Sequence, residues 1–382
     1  MSLGVQVFSL KSKIIKPKDD LCKIIINTLT ENINQGHFEL KNDDIVAITE
    51  GVVAIANENI VSLDEVVESL KTVMPGNDIC IVFPILSRNR FSLILKAIAK
   101  AYTKVSILFS FPKDEVGNPL ILPSDLKEIK VNYQIDAFDL DYYNSLGDFK
   151  HPFTHVNIIR YYENILVTEN CQYNFIFSNN PLHAIKCSKN ILICSTHNRF
   201  IVQNNFKEYN VKTWLLTDIC ANRNKVNNNP TYGLLGSNKM ADDKLKLFPY
   251  NAHTLLTNLQ SEVKKLYNVH IEALIFGDGA FMDPLYQIWE LADPVVSPFY
   301  TSGLQGSPNE IKIKYFSSIY PDLNDEKLLE IIKEQNLENT LGTTPRRYVD
   351  LIGSLCDLVV GSGERKTPFV LIKNYIGVKN NV

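Results

Sequence analysis

Ile79-Cys80-Ile81-Val82-Phe83-Pro84-Ile85-Leu86, then Ser87-Arg88-Asn89-Arg90, then the stretch from Phe91 to Tyr102, is the sequence that decides the fold class. The first eight residues run apolar without alternation, as in a strand covered on both faces. From Phe91 onward, apolar residues recur at helical spacing (Phe91, Leu93, Ile94, Ala97, Ile98, Ala101). Val105-Ser106-Ile107-Leu108-Phe109-Ser110-Phe111 then reads as the next strand. Strand, helix and strand within about thirty residues fit a right-handed βαβ crossover, so a parallel sheet is expected here.

Working outward, Pro75-Gly76-Asn77 marks the turn into this unit. Upstream, residues 5–10 read as a strand, and Asp20 is placed to cap a helix over 21–30. Asn42-Asp43-Asp44 is a turn before the strand 45–48, while 52–56 fits a strand and a helix start equally well. Downstream, the signals weaken from 112 to 185, with strands expected at 173–178, 190–195 and 214–219. The Asn- and Pro-rich stretch 221–232 is the best linker by composition. A helix at 251–267 leads into a strand at 270–276, and a further helix is expected over 325–335. Thr344-Pro345 announces another that runs to Val360, where Gly361-Ser362-Gly363 stops it before a closing strand at 368–372.

Composition narrows the partners. A chain of 382 residues exceeds what one hydrophobic core sustains, so two or three domains are expected. With 39 basic against 42 acidic residues there is no excess of cations to neutralise a nucleic-acid backbone. No apolar run is long enough to span a bilayer, and the N-terminus lacks the regions of a signal peptide. The seven cysteines are scattered without a C-x-x-C pair and read as reduced core thiols. These features together imply a cytoplasmic protein that acts on a small molecule, not on nucleic acid or membrane.

Several residues could carry chemistry. Asp278 sits between Gly277 and Gly279 at the carboxyl end of an apolar strand, where a carboxylate suits Mg²⁺ or Mn²⁺, although a plain tight turn explains Gly-Asp-Gly equally well. Asp283 and Asp293 could share the cation; Glu290 reads as part of a solvated face. Arg88 and Arg90 precede a helix, where backbone N–H groups favour a phosphate or carboxylate; a solvated loop is the equal alternative. Gly361 and Gly363 could cradle a phosphate or merely end a helix. P-loop and dinucleotide fingerprints, an H-E-x-x-H motif and a G-x-S-x-G elbow are all missing from the sequence. His151 and His155 flank Pro152 and read as loop residues, not metal ligands.

The segments taken together resemble the coenzyme F-420 gamma-glutamyl ligase family. Val5-Gln6-Val7-Phe8 through Leu21 is similar to its opening strand, loop and helix, and Asn42-Asp43-Asp44-Ile45-Val46 to the turn and strand that follow. Tyr232-Gly233-Leu234-Leu235-Gly236-Ser237-Asn238 resembles the family's A-G-I-D-x-S-N segment. Phe276-Gly277-Asp278-Gly279 falls on its T-D-T metal segment and Leu358-Val359-Val360-Gly361-Ser362-Gly363 on its L-L-M-G-E-G segment. Residues 75–215 hold α/β material that the shorter ligases lack in this form. The resemblance implies a mixed α/β protein: a ligase-like core at 1–74 and 216–382, with an inserted parallel-sheet subdomain at 75–215. It also implies homodimerisation, GTP or ATP as substrate, Mg²⁺ or Mn²⁺, and nucleotide or substrate contacts at Ser237 and Asn238, to which the reading of the residues themselves adds Gly361, Gly363, Arg88 and Arg90.

The departures are as specific as the matches. Leu235, Gly279 and Ser362 stand where the family has Asp, Thr and Glu, Ile55 stands at a nucleotide-contacting Lys, and Ala280-Phe281-Met282-Asp283-Pro284 replaces G-R-x-x-R. Two functions therefore stay open. One is a nucleotide- and metal-dependent ligase joining an amino acid to a carboxylate acceptor, with Asp278, Asp283 and Asp293 on the metal and no assignable catalytic residue. The other is a non-catalytic protein that binds an anionic small molecule or nucleotide on the same scaffold.

Overall fold

Alternating apolar strands and amphipathic helices sort into sheet-centred layers in the computed structural model, which describes residues 4–122, 124–151, 154–250, 252–277, 280–282, 289–291, 299–306, 313–334, 347–360 and 365–376. The chain opens with β1 (Gln6–Leu10), α1 (Leu21–Asn34), β2 (Ile45–Thr49), α2 (Glu50–Ala56), β3 (Ile60–Ser62) and α3 (Leu63–Val73). Asp20 caps α1 as expected, its side chain accepting from the Lys23 N–H at 3.1 Å. The helix continues past residue 30 because the first positive-φ break, Gly36, comes later. The ambiguous stretch 52–56 is helical. A reciprocal cap starts α3: Ser62 Oγ accepts from the Glu65 N–H, and the Glu65 carboxylate accepts from the Ser62 N–H at 2.8 Å.

The deciding stretch forms β4 (Asp78–Val82), α4 (Ser92–Ala101) and β5 (Lys104–Phe109). The strand ends at Val82, short of the expected Leu86, because Phe83 turns to φ 53°. β6 (Phe138–Asp139), α5 (Leu140–Leu146), α6 (Ile158–Thr168), β7 (Gln172–Phe177), β8 (Ile191–Ile193), α7 (Arg199–Lys207) and β9 (Thr213–Leu215) follow. The strand expected over 214–219 is also cut short. Residues Leu216–Asp218 form a 3-10 turn that Asp218 ties down by accepting from the Leu215 N–H at 2.8 Å. These strands make a six-stranded sheet in the order β6-β7-β5-β4-β8-β9, parallel except at the β6–β7 edge.

The rest of the chain supplies β10 (Asn238–Ala241), β11 (Lys244–Lys246), α8 (His253–Tyr267), β12 (Glu272–Phe276), β13 (Ala280–Met282), β14 (Trp289–Leu291), α9 (Ile313–Ile319), α10 (Asp325–Glu334), α11 (Tyr348–Val360) and β15 (Phe369–Lys373). A four-stranded sheet in the order β1-β15-β2-β12 joins both ends of the chain. β15 runs antiparallel to β1 and β2, and β12 parallel to β2. A small sheet, β10-β11-β3, lies between the two lobes in sequence.

Packing follows the apolar stripes. In the four-stranded sheet, Ile25, Leu29, Leu256 and Leu259 of α1 and α8 cover one face, and Ile352 and Cys356 of α11 cover the other. On the six-stranded sheet, α3, α4 and α6 bury Leu70, Ile98 and Leu166 against β4 and β5, while Val202 and Phe206 of α7 pack across β8. Each such buried side chain contributes on the order of 2 kcal/mol of transfer free energy. The cluster around β4 and β5 also draws in Val61 to Met74 and Leu234 to Leu247. Helices on both faces of a mostly parallel sheet define an α/β architecture. No helix among the described residues is long and apolar enough to cross a membrane.

Candidate functional site

β4 lies in the middle of the six-stranded sheet, where the winding reverses. The chain moves from β4 through β5 to β7 on one side, then returns to place β8 and β9 on the other. Crevices at such reversal points, outside the carboxyl ends of the strands, are where doubly wound sheets take ligands. The loop leaving β4 carries Arg88 and Arg90, and three fastenings fix its path.

The first is Tyr162 of α6, fully buried, whose hydroxyl donates to the Ile85 carbonyl at 3.0 Å and accepts from the Ser87 N–H at 2.9 Å. The second is Asp114, whose carboxylate accepts from the Leu86, Val116 and Asn118 N–H groups and from the Asn118 side-chain amide, all within 3.0 Å. Burial outweighs these four bonds and pushes the Asp114 carboxyl up to about 6. The third is Ser87, whose hydroxyl accepts from the Arg90 N–H at 3.2 Å and whose carbonyl accepts from Phe91 at 3.0 Å. The turn delivers an exposed Arg88 and a half-buried Arg90 to the N-terminus of α4.

A cavity of about 640 Å³ opens beside this turn. Arg88, Arg90, Tyr161, His151 and Lys239 are among its lining residues. Lys239 comes from β10, and its backbone N–H donates to the Asn89 carbonyl at 2.8 Å, so the two segments are joined directly. Burial, reinforced by the positive charge of Arg88, holds the His151 imidazole below its usual range and favours its neutral form. Three cationic side chains, Lys239 among them with Asp242 as its ion-pair partner at 2.8 Å, therefore line one crevice just ahead of α4, an arrangement suited to a phosphate or carboxylate.

Ser237 and Asn238 lie at the end of a segment held near this turn by a different route. Gly233 has φ 53°, and a Cβ there would lie 2.3 Å from the Ile219 carbonyl oxygen and 2.7 Å from those of Leu216 and Thr217. Only glycine fits so close to that backbone. The buried side chain of Asn229 accepts from the Thr231 and Tyr232 N–H groups and donates to the Phe248 carbonyl, which holds the segment's start. Ser237 is buried, and its Oγ has no hydrogen-bond partner among the described residues. It shares a small enclosed space with Arg90 and Thr196. Asn238, half-buried, begins β10 one residue before Lys239.

The structure thus puts Arg88 and Arg90 on one crevice and Ser237 beside Arg90 in the small space next to it, while Asn238 stands at the start of β10, outside the lining of both. Asp278, Asp283, Asp293, Gly361 and Gly363 lie outside the described residues. Leu235, at a position where the resembled family carries a metal carboxylate, is a buried core residue. Among the described residues no group of three or more His, Cys, Asp or Glu side chains could hold a metal ion. The cysteines are all unpaired, but Cys22 and Cys187 are half-buried and so depart from the expected set of core thiols. A hydrogen bond from Cys80 lowers the Cys187 thiol to about 7, whereas burial raises that of Cys194.

Lys239, Tyr162 and Asp114 escaped the reading of the sequence. Lys239 stands directly after Ser237-Asn238 and was legible by adjacency. Tyr162 acts through backbone groups remote in sequence, which leaves no local signal, and so does the one bond by which Asp114 reaches the Leu86 N–H; the other Asp114 bonds, to Val116 and Asn118, are local.

A doubly wound lobe with a basic, partly apolar crevice beside its central strand defines the class: an α/β protein with a pocket of the size and lining that small-molecule sites have. The whole chain also matches a family model, that of F420-0:Gamma-glutamyl ligase, over residues 9–374. The protein belongs to that family. No curated protein matches the chain.

Proposed function

We propose that this protein is an amide-forming ligase that joins an amino acid, glutamate or one like it, to a carboxylate-bearing small molecule at the expense of GTP or ATP. The observation that carries the reading is the family match, which spans both lobes and not the four-stranded sheet alone. The basic crevice supports it. Arg88, Arg90 and Lys239 would pair with phosphate or carboxylate oxygens, and His151, kept neutral, could hydrogen-bond the same ligand. Tyr162 and Asp114 hold the turn, so the guanidinium groups need little reorganisation on binding.

The family resemblance also assigns Mg²⁺ or Mn²⁺ to this chemistry. The described residues do not themselves make such a site, and no step is routed through a metal here. Asp278, Asp283 and Asp293 are the carboxylates this reading gives to the cation, and Gly361 and Gly363 are assigned to the nucleotide phosphates. A cytoplasmic homodimer belongs to the same reading. The second reading, a non-catalytic nucleotide or anion binder, is favoured by buried Leu235 where a metal ligand would stand.

Thermal melting with saturating GTP or ATP plus Mn²⁺ tests both readings, because any ligand that prefers the native state raises the transition. A rise of several degrees, together with nucleotide cleavage that depends on glutamate, is the expected result. A rise without cleavage would move the assignment to the second reading. No rise with either nucleotide would sink the nucleotide-dependent ligase.

A further inference from the structure

A second cavity, of about 530 Å³, lies on the other side of the 113–118 loop at the carboxyl ends of β4, β5 and β8. Its body is apolar, with Phe83, Phe111, Pro112, Pro181, Ile201 and Val202 among the lining residues. At one end stands the N-terminus of α7, a helix of nine residues. The N–H groups of Thr196, His197 and Asn198 converge there on a single carboxylate, that of Glu115, with the latter two at 3.1 Å. Three convergent backbone donors at a helix start are an oxyanion cradle, and here the chain fills it with its own half-buried side chain.

One further group has no role in that internal arrangement. Ser195, immediately before the cradle and also lining the cavity, is 2% exposed, and its Oγ has no hydrogen-bond partner among the described residues. Burying a hydroxyl without a partner is unfavourable, which makes it a place to look for a missing ligand. Glu115, being planar, uses three donors; a tetrahedral phosphate could use the same three and the serine hydroxyl as a fourth. The location agrees, because Ser195 follows the end of β8 by two residues, beside β4 where the sheet reverses its winding.

We propose that Ser195 and the Thr196–Asn198 backbone form a second ligand site, for a small phosphate monoester with an apolar body, and that Glu115 is an internal stand-in for its phosphate. The ligand displaces the Glu115 side chain outward, and its body lies along the cavity. Asp114, the neighbouring carboxylate, stays where it is, its oxygens already taken by four hydrogen bonds. This site is separate from the crevice beside Arg88 and does not depend on the ligase reading.

Calorimetric titration with inorganic phosphate and with phenyl phosphate, on the full chain, tests the idea. Glu115→Ala is expected to bind both at least tenfold more tightly than the unaltered chain, with phenyl phosphate the better ligand and acetate much the weaker. Adding Ser195→Ala should remove most of that gain. Adding Arg88→Ala and Arg90→Ala should leave it intact, which separates this site from the first crevice. Equal phosphate affinity with and without Glu115, or a gain indifferent to Ser195, would overturn the proposal and leave Glu115 a helix cap only. Should Glu115→Ala fail to fold, the isosteric Glu115→Gln keeps an accepting oxygen for α7 and carries the same titration with the same deciding outcomes.

Discussion

The four-stranded sheet and the six-stranded sheet of this protein solve the same packing problem and treat polar groups in opposite ways. In the four-stranded sheet, buried charge is neutralised internally: Lys373 at the end of β15 meets the Asp44 carboxylate at 2.5 Å and the Glu39 carbonyl, and both charged residues are more than nine-tenths buried. Around the six-stranded sheet, charge is collected at the carboxyl end and turned toward open cavities, as with Arg88 and Arg90 of the loop after β4, joined by Lys239 of the small β10-β11-β3 sheet. One sheet ties the ends of the chain together; the other presents cationic side chains to a ligand. Resemblance to known ligases is densest in the first, whereas the described cavities gather around the second.

The largest effect should come from breaking the internal pair. Lys373→Met leaves Asp44 buried without its cation and should cost about 3–5 kcal/mol in denaturant unfolding. A loss under 1 kcal/mol would mean that the four-stranded sheet tolerates open charge as the other sheet does.

Next comes a pH effect confined to the second sheet. The Asp114 carboxyl, held at about 6 when folded, lies above its unfolded value near 4. Its favourable contribution is therefore complete below about pH 4 and is lost as pH rises through about 6, a change of about 3 kcal/mol. Asp114→Asn should flatten that segment of the stability–pH curve while lowering stability throughout it, since one accepting oxygen becomes a donor. An unchanged slope would remove Asp114 as its cause.

A smaller energy, but the one closest to function, belongs to the crevice. Arg88→Ala with Arg90→Ala should weaken nucleotide or carboxylate binding on the order of a hundredfold, about 2.8 kcal/mol for the two together. The melting temperature of the free protein should barely move. Binding that survives the double change would place the anion elsewhere, for instance among the glycines 361 and 363.

The smallest is the cap of α1. Asp20→Ala should cost about 1 kcal/mol of stability with no effect on ligand affinity, as expected of a feature belonging to the four-stranded sheet.

How far the sequence was legible follows from the range of the forces involved. The β4–α4–β5 unit, the Asp20 cap and the strands β2, β7, β8, β12 and β15 are written in local periodicity and punctuation, and all were readable. Boundaries failed where particular hydrogen bonds, one long-range and one local, redirect the backbone. Phe83 turns out of the strand and donates to the Leu108 carbonyl, and Asp218 curls the end of β9 into a turn. α6 was missed because its buried face, Ile159, Tyr162 and Leu166, sits in a stretch otherwise rich in polar and aromatic residues. For the candidate site, Arg88, Arg90, Ser237 and Asn238 were each nameable, but that Arg90 and Ser237 share one small space was not.

By itself, then, the sequence determined the α/β class, the family resemblance and the identity of most groups able to hold an anion, because residue type and short-range spacing encode those. Tertiary structure alone decided that Lys239 joins Arg88 and Arg90 across about 150 residues, that Leu235 is core, and that Glu115 occupies the helix start beside Ser195. Those facts depend on which strands the winding of the six-stranded sheet places side by side, and on backbone donors that have no signature in the side-chain sequence.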